Sequence, residues 1–222
     1  MIIAHRGWSA KYPENTLEAF RAAITVPRSR VIEFDVRKTK DDVPIILHDS
    51  TLDRTSTGKG SVINCTWEDL QSVSIKGSNQ KIPSLHDVFS EFKNDIGYDV
   101  EIKTKDTAKL VVDEIIRSGI SYENVLVTSF KWDEIEAVRR LDPSILTGLI
   151  SVIRPERAIR KCVHLGCPVV VLNHRVITKD VMRYADECGI DVYAYTVNDR
   201  DIMQKLVGYG VKAIVTDNPD II

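Results

Sequence analysis

Eight short apolar runs, most of them followed by a stretch of helical periodicity, constrain this chain more than any other feature. They begin near residues 2, 31, 98, 125, 146, 169, 191 and 213. From the third onward they recur every roughly 21 to 27 residues, the length of one strand–helix unit. Each run is too short for a helix and is rich in Val, Ile and Leu. Stop signals close the intervening helices: Gly119 after 107–117, Asp142-Pro143 after 132–141, and Gly166 after a helix that Pro155 opens. Strands alternating with helices argue for a parallel sheet, and eight such units argue for an α/β fold of the (β/α)8 TIM-barrel type. A doubly wound open sheet is the alternative, but the first run is not followed by the GxGxxG turn of dinucleotide-binding sheets.

The one irregular interval separates the second and third runs. Ile32, Phe34 and Val36 alternate with Glu33, Asp35 and Arg37, a period-2 strand with one charged face. A second run, 44–47, follows too soon for a crossover helix and predicts an antiparallel hairpin. With Asp41 and Asp42 as the turn, 40 pairs with 43 and Asp35 lies opposite His48. Residues 52–60 are turn-rich. Thr66 and Asp69 predict a capped short helix over 67–73, and Leu85, Val88, Phe89 and Phe92 mark a longer one. We therefore expect a single barrel domain over 1–222 with a small hairpin-containing insertion at about 38–90. Near the start, Asn15 followed by Glu18 reads as the capping box of a helix carrying Leu17, Phe20, Ala23 and Ile24. Six residues follow Thr216, so the last outer helix is expected to be absent or a single turn, and a second copy of the chain is expected to cover that flank as a homodimer.

Composition excludes several partners. The formal net charge is -2, which gives no field favouring nucleic acid or an anionic membrane. No apolar run approaches a membrane span, and His5-Arg6 interrupt the N-terminal one at once, so neither a signal peptide nor stable membrane association is expected and the location read is cytoplasmic. Cys65, Cys162, Cys167 and Cys188 show no paired CxxC spacing; with His164 they read as small buried residues rather than a zinc site.

In a barrel the chemistry gathers where strands end at the C-terminal face. The first three runs end in His5-Arg6, in Glu33 and Asp35, and in Glu101 and Lys103, and the hairpin returns His48 to the same rim. Three carboxylates at short range raise one another's pKa unless a cation joins them. An all-oxygen set favours one hard divalent cation, Mg²⁺ or Ca²⁺. The competing reading is a salt-bridge network with Arg6, Arg37 and Lys103. A metal beside Arg6 and Lys103 suits a phosphate, and two flanking histidines suit proton transfer to and from its oxygens. His86, His164 and His174 lack such company and read as structural.

Taken together, His5-Arg6-Gly7, Pro13-Glu14-Asn15-Thr16, Glu33 and Asp35, His48-Asp49 with Leu52 and Arg54-Thr55, Ile82-Pro83, Glu101-Ile102-Lys103, Thr128-Ser129-Phe130, Thr196-Val197-Asn198 and Thr216-Asp217 make the chain resemble the glycerophosphodiester phosphodiesterases. The resemblance spans residues 5 to 217. It implies a barrel of the phosphatidylinositol-phospholipase-C-like type and hydrolysis of glycerophosphodiesters to glycerol 3-phosphate and an alcohol, a step of glycerol and lipid metabolism. It implies Glu33, Asp35 and Glu101 as metal ligands, His5 and His48 as the acid/base pair, and Arg6 and Lys103 as phosphate contacts. Asn15 has a role near the site in the family that competes with the cap reading, and Arg54 is expected to organise the insertion. Two departures stand out: Asp42 replaces a turn glycine, and Tyr195 replaces a tryptophan of the aromatic wall, which bears on leaving-group preference. The rival readings are the same fold acting on lysophospholipids or other phosphodiesters, a Schiff-base aldolase using Lys103, and a non-catalytic metal-binding barrel. The polar character of residues 50–84 favours a small soluble diester.

Overall fold

The computed structural model describes residues 1–221. Eight parallel strands close into a barrel: β1 (Ile2–His5), β2 (Ser29–Lys38), β4 (Gly97–Ile102), β5 (Val125–Ser129), β6 (Leu146–Ser151), β7 (Val169–Asn173), β8 (Asp191–Tyr195) and β9 (Ala213–Thr216). Each pairs with the next, and β1 closes the ring by pairing with both β2 and β9. The open-sheet alternative is thereby excluded. Among the described residues, α1 (Leu17–Ile24), α3 (Leu85–Phe92), α4 (Ala108–Ser118), α5 (Trp132–Leu141), α6 (Pro155–Leu165), α7 (Lys179–Glu187) and α8 (Arg200–Gly208) connect successive strands, and no helix follows β9.

Period-2 alternation divides the strand residues between two environments. Ile32, Phe34 and Val36 face outward and join the main core under the helices. There Phe20 of α1 stacks on Phe34 at 5.7 Å, Phe34 on Tyr98 at 6.3 Å, and Tyr98 on Phe89 of α3 at 5.1 Å. Tilted and edge-to-face pairs of this kind add roughly 0.5–1.5 kcal/mol each beyond their burial. They fix β2 and β4, the two strands that carry the carboxylates. The inward faces hold Ile3, Leu126, Ile150, Val169, Val171 and Val215 as a floor. Above that floor the lining turns acidic.

The insertion begins with β3 (Pro44–Ile46), antiparallel to β2. Its register differs from the sequence expectation by one residue: Lys38 pairs with Pro44 and Val36 with Ile46, and the Asp35 carbonyl accepts from Leu47 N–H. Asp35 therefore lies opposite Leu47, not His48. The cause is a three-residue loop, 40–42, that ends with Asp42 at φ 61°, where a left-handed residue after a tight turn matches strand twist. Asp41 is drawn away to accept from Trp67 N–H at 2.9 Å, the first residue of α2 (Trp67–Leu70), whose Thr66/Asp69 capping box forms as expected. Leu47 goes into the insertion's own core with Ile45, Leu52 and Ile82.

A second correction concerns the entry to α1. Thr16, not Asn15, is the N-cap, its hydroxyl accepting from Ala19 N–H at 3.1 Å. Asn15 sits at φ 59° with its side chain turned into the barrel. Arg6 and Gly7 are left-handed as well, at φ 56° and 78°. Only glycine fits at 7: a Cβ there would lie 2.7 Å from the Ala19 carbonyl carbon. That turn swings the chain off β1 and packs α1 beneath it.

Candidate active site

The barrel mouth gathers His5, Arg6, Glu33, Asp35, His48, Glu101 and Lys103. His5, at the end of β1, is in register with Glu33; Glu33 is in register with Asp99, and Asp35 with Glu101. All these side chains point inward. Ligand oxygens of Glu33, Asp35 and Glu101 lie within 4.8 Å of one another, and all three residues are buried.

Two cations face them. Arg6 Nε is 3.2 Å from Asp35 Oδ2, and the Arg6 backbone N–H donates to Glu33 Oε2 at 2.9 Å. Lys103 Nζ is 2.7 Å from Glu101 Oε1 and 3.4 Å from Asp35 Oδ1. Asn15 donates to Asp35 Oδ2 at 2.8 Å. Burial pushes Asp35 up, yet Arg6, Lys103, His48 and the Asn15 hydrogen bond outweigh it and hold the carboxyl below its ordinary value. Glu33 and Glu101 go the other way. Burial and then the Asp35 charge push Glu101 up to about 7, and the same two causes raise Glu33 well above the ordinary range. Asp99, which sequence reasoning did not single out, adds a fourth buried carboxyl. It accepts from Thr128 Oγ1 at 2.7 Å and is pushed up to about 7, chiefly by burial.

Four carboxyls against two cations leave the cluster short of positive charge. Arg37, expected in a salt-bridge network, does not supply it: its guanidinium donates to the His48 carbonyl, from Nε at 2.8 Å and Nη2 at 2.6 Å. Asp35 Oδ1 accepts no hydrogen bond. A compact, buried, all-oxygen set with a spare acceptor fits one hard divalent cation.

Each histidine is anchored through Nδ1 to its own aspartate. His5 Nδ1 is 2.6 Å from Asp217 Oδ1, and His48 Nδ1 is 2.7 Å from Asp49 Oδ1. A carboxylate accepts, so Nδ1 bears a proton in each ring and Nε2 is the nitrogen left to gain or lose one. His5 Nε2 faces Glu33 Oε2 at 3.9 Å. Burial pushes Asp217 up, but the His5 hydrogen bond and charge, with Asn198 and Ser9, bring it down to about 2. Burial lowers His48 despite the neighbouring Asp35 and Asp49. Arg54 ties the insertion to this mouth. It donates from Nε and Nη2 to Asp49 and from both Nη atoms to Glu14, and Glu14 in turn accepts from Arg6 Nη1 at 3.0 Å. The sequence motifs include Asp49 and Asp217 but assign neither a role. Asp49 directly follows His48, but Asp217 has no local signal linking it to residue 5.

Outside His5 and Arg6 a cavity of about 400 Å³ opens between Ser9, Glu14, Asn198 and Asn218. A larger one, about 600 Å³, lies against Met203 and Val207 of α8, and neither carboxylate nor histidine lines it. The chemistry, not the size, marks the mouth. Cys162 and Cys167 are buried, His86 pairs with Glu114 at 2.9 Å, and neither group joins a metal-ligating cluster among the described residues.

The glycerophosphoryl diester phosphodiesterase family model matches residues 5–221, so both histidines and all three clustered carboxylates lie within the match. The chain belongs to that family. YhdW of Bacillus subtilis is 32% identical over 100% of this chain and 96% of its own. The glycerophosphodiester phosphodiesterase of Caldanaerobacter subterraneus is 28% identical over 99% and 95%. Among solved structures, an Oleispira antarctica phosphodiesterase in complex with the product sn-glycerol-3-phosphate superposes with a TM-score of 0.90, at 25% identity over 99% of this chain and 93% of that one. This member of the family has no helix among its described residues that is long and apolar enough to cross a membrane.

Proposed function

We propose that this family member hydrolyses glycerophosphodiesters to glycerol 3-phosphate and an alcohol, with one divalent cation, Mg²⁺ or Ca²⁺, held by Glu33, Asp35 and Glu101. The observation that carries the reading is the convergence of two aspartate-anchored imidazoles, two cations and a crowded carboxylate triad on one mouth. When bound, the cation supplies Lewis-acid polarisation of a phosphoryl oxygen. Arg6 and Lys103 hold the phosphate and offset charge that grows on its oxygens. One imidazole Nε2 takes the proton of the attacking oxygen, and the other delivers a proton to the leaving alkoxide. Asp217 and Asp49 keep the two rings in the tautomer this exchange needs.

Lys103 argues against aldolase chemistry. Burial alone would lower it, but Glu101 and Asp35 outweigh burial and hold it charged, which makes it a poor amine nucleophile. Among the residues of 50–84, Ile63 alone is an exposed large hydrophobic, which favours a small soluble diester over a lysolipid. The test is glycerol 3-phosphate release from glycerophosphocholine with and without EDTA, followed by addition of Mg²⁺ or Ca²⁺. Release that EDTA abolishes and one ion restores is expected. Release indifferent to chelator would refute the metal assignment, and no release under any condition would refute the substrate.

A further inference from the structure

Inside the ring of carboxylates lies a second, much smaller space. It measures about 30 Å³ and is bounded by His5, Glu33, Glu101, Thr128, Phe130 and Tyr195. Tyr195 ends β8, and its ring meets Phe130 edge-on at 5.8 Å, while Lys103 Nζ stands 5.4 Å from the centre of the Phe130 ring. The Tyr195 hydroxyl is buried and has no hydrogen-bond partner among the described residues. Burial, and after it the negative charge of Glu101, raise the phenol and keep it protonated. A buried donor left unpaired is costly, and native proteins rarely keep one unless a ligand or water completes it.

The two spaces at the mouth differ in what they admit. The inner one has room for a single hydroxymethyl-sized group or a water. The outer one, about 400 Å³ beyond His5 and Arg6, accommodates a bulky alcohol. A phosphate held between Arg6 and Lys103 would send its small polar substituent inward and its variable substituent outward. We propose, resting on the phosphodiesterase reading above, that Tyr195 is a specificity-determining residue whose phenolic hydroxyl donates to a hydroxyl oxygen of the glycerol moiety seated in the inner cavity. Tyr195 thus selects the retained glycerol rather than the alcohol that leaves.

The test is Tyr195→Phe, which keeps the ring and its contact with Phe130. Steady-state kinetics would compare glycerophosphocholine with bis(4-nitrophenyl) phosphate, a diester with no glycerol. The ratio of their kcat/KM values is expected to fall about three- to tenfold in the variant, the range for one lost neutral hydrogen bond. The Tm of the free variant is expected to equal or exceed the parent's, because no bond is lost in the absence of substrate. An unchanged ratio, with the parent active on glycerophosphocholine, overturns the assignment alone. A clear drop in the free variant's Tm also overturns it, since the hydroxyl would then have a partner within the protein. A parent that cleaves bis(4-nitrophenyl) phosphate but no glycerophosphodiester overturns the underlying reading, and this assignment with it.

Discussion

Replacing Asp99 by Asn is expected to stabilise the metal-free protein at pH 8 far more than at pH 5. The Asp99 carboxyl is 2% exposed, accepts one hydrogen bond from Thr128, and is pushed from 3.8 to about 7. An acid whose folded pKa is raised holds its proton more tightly in the folded state. Its contribution to stability is complete below the unfolded value and is lost as pH climbs towards the folded one. At about 1.4 kcal/mol per pH unit, the parent loses about 3 kcal/mol through this group between pH 5 and pH 7, and little more above that. Asparagine does not titrate, and its amide oxygen keeps the Thr128 hydroxyl satisfied. The variant should therefore gain about 3 kcal/mol on the parent across this window, or roughly 6–12 °C in Tm for a chain of this length. Thermal unfolding followed by circular dichroism, both proteins in EDTA, measures it directly. A Tm difference that is the same at pH 5 and pH 8 would refute the assignment of the cost to Asp99 ionisation.

Three other outcomes follow from the site. Changing either His5 or His48 to Ala should lower turnover about a hundredfold or more, the range for loss of a general acid or base; near-normal turnover in both variants would eliminate the pair. Asp217→Asn should reduce kcat about tenfold or more with little change in KM, because the His5 ring is misdirected while phosphate contacts remain; a pure KM effect would contradict an orienting role. Asn15→Ala should destabilise the fold by about 1–3 kcal/mol in denaturant titration, since it strips a buried carboxylate of its donor; a variant as stable as the parent would show that Arg6 and Lys103 suffice for Asp35.

Much of this architecture was legible in the sequence, for a local reason. Strand–helix spacing and helix stops are short-range signals, and they located the strands of the barrel. Alternation put Glu33, Asp35, Glu101 and Lys103 on inward faces at strand ends, and the structure brings them together. The same alternation runs back from Glu101 to Asp99, a signal present but not followed. What failed depended on alternatives of nearly equal local merit. Asn and Thr are both good N-caps, and only the Asp35 carboxylate waiting inside the barrel decides that Asn15 turns inward and Thr16 caps. Two- and three-residue hairpin loops are both common, and the hydrogen bond from Trp67 to Asp41 selects the longer one, moving the register by one. Arg37 carries the right charge for the carboxylate cluster, but the bend after β3 brings the His48 carbonyl within its reach instead. The aspartates behind the histidines belong to a third group: Asp217 finds His5 only because the last strand returns to the first.

That return has a temporal meaning. His5 and the carboxylate that orients it are 212 positions apart, so the imidazole is made long before its anchor. When synthesis reaches residue 212, the residues of seven barrel strands have been made and β9 has not begun. A nascent chain at that stage carries the carboxylate triad, both imidazoles and both cations, and yet one imidazole has nothing to align it. The pairing of β9 with β1 seals the cylinder and delivers the missing anchor in the same event. Closure of the cylinder and orientation of the His5 ring are thus acquired together, and a chain that lacks β9 and Asp217 has neither.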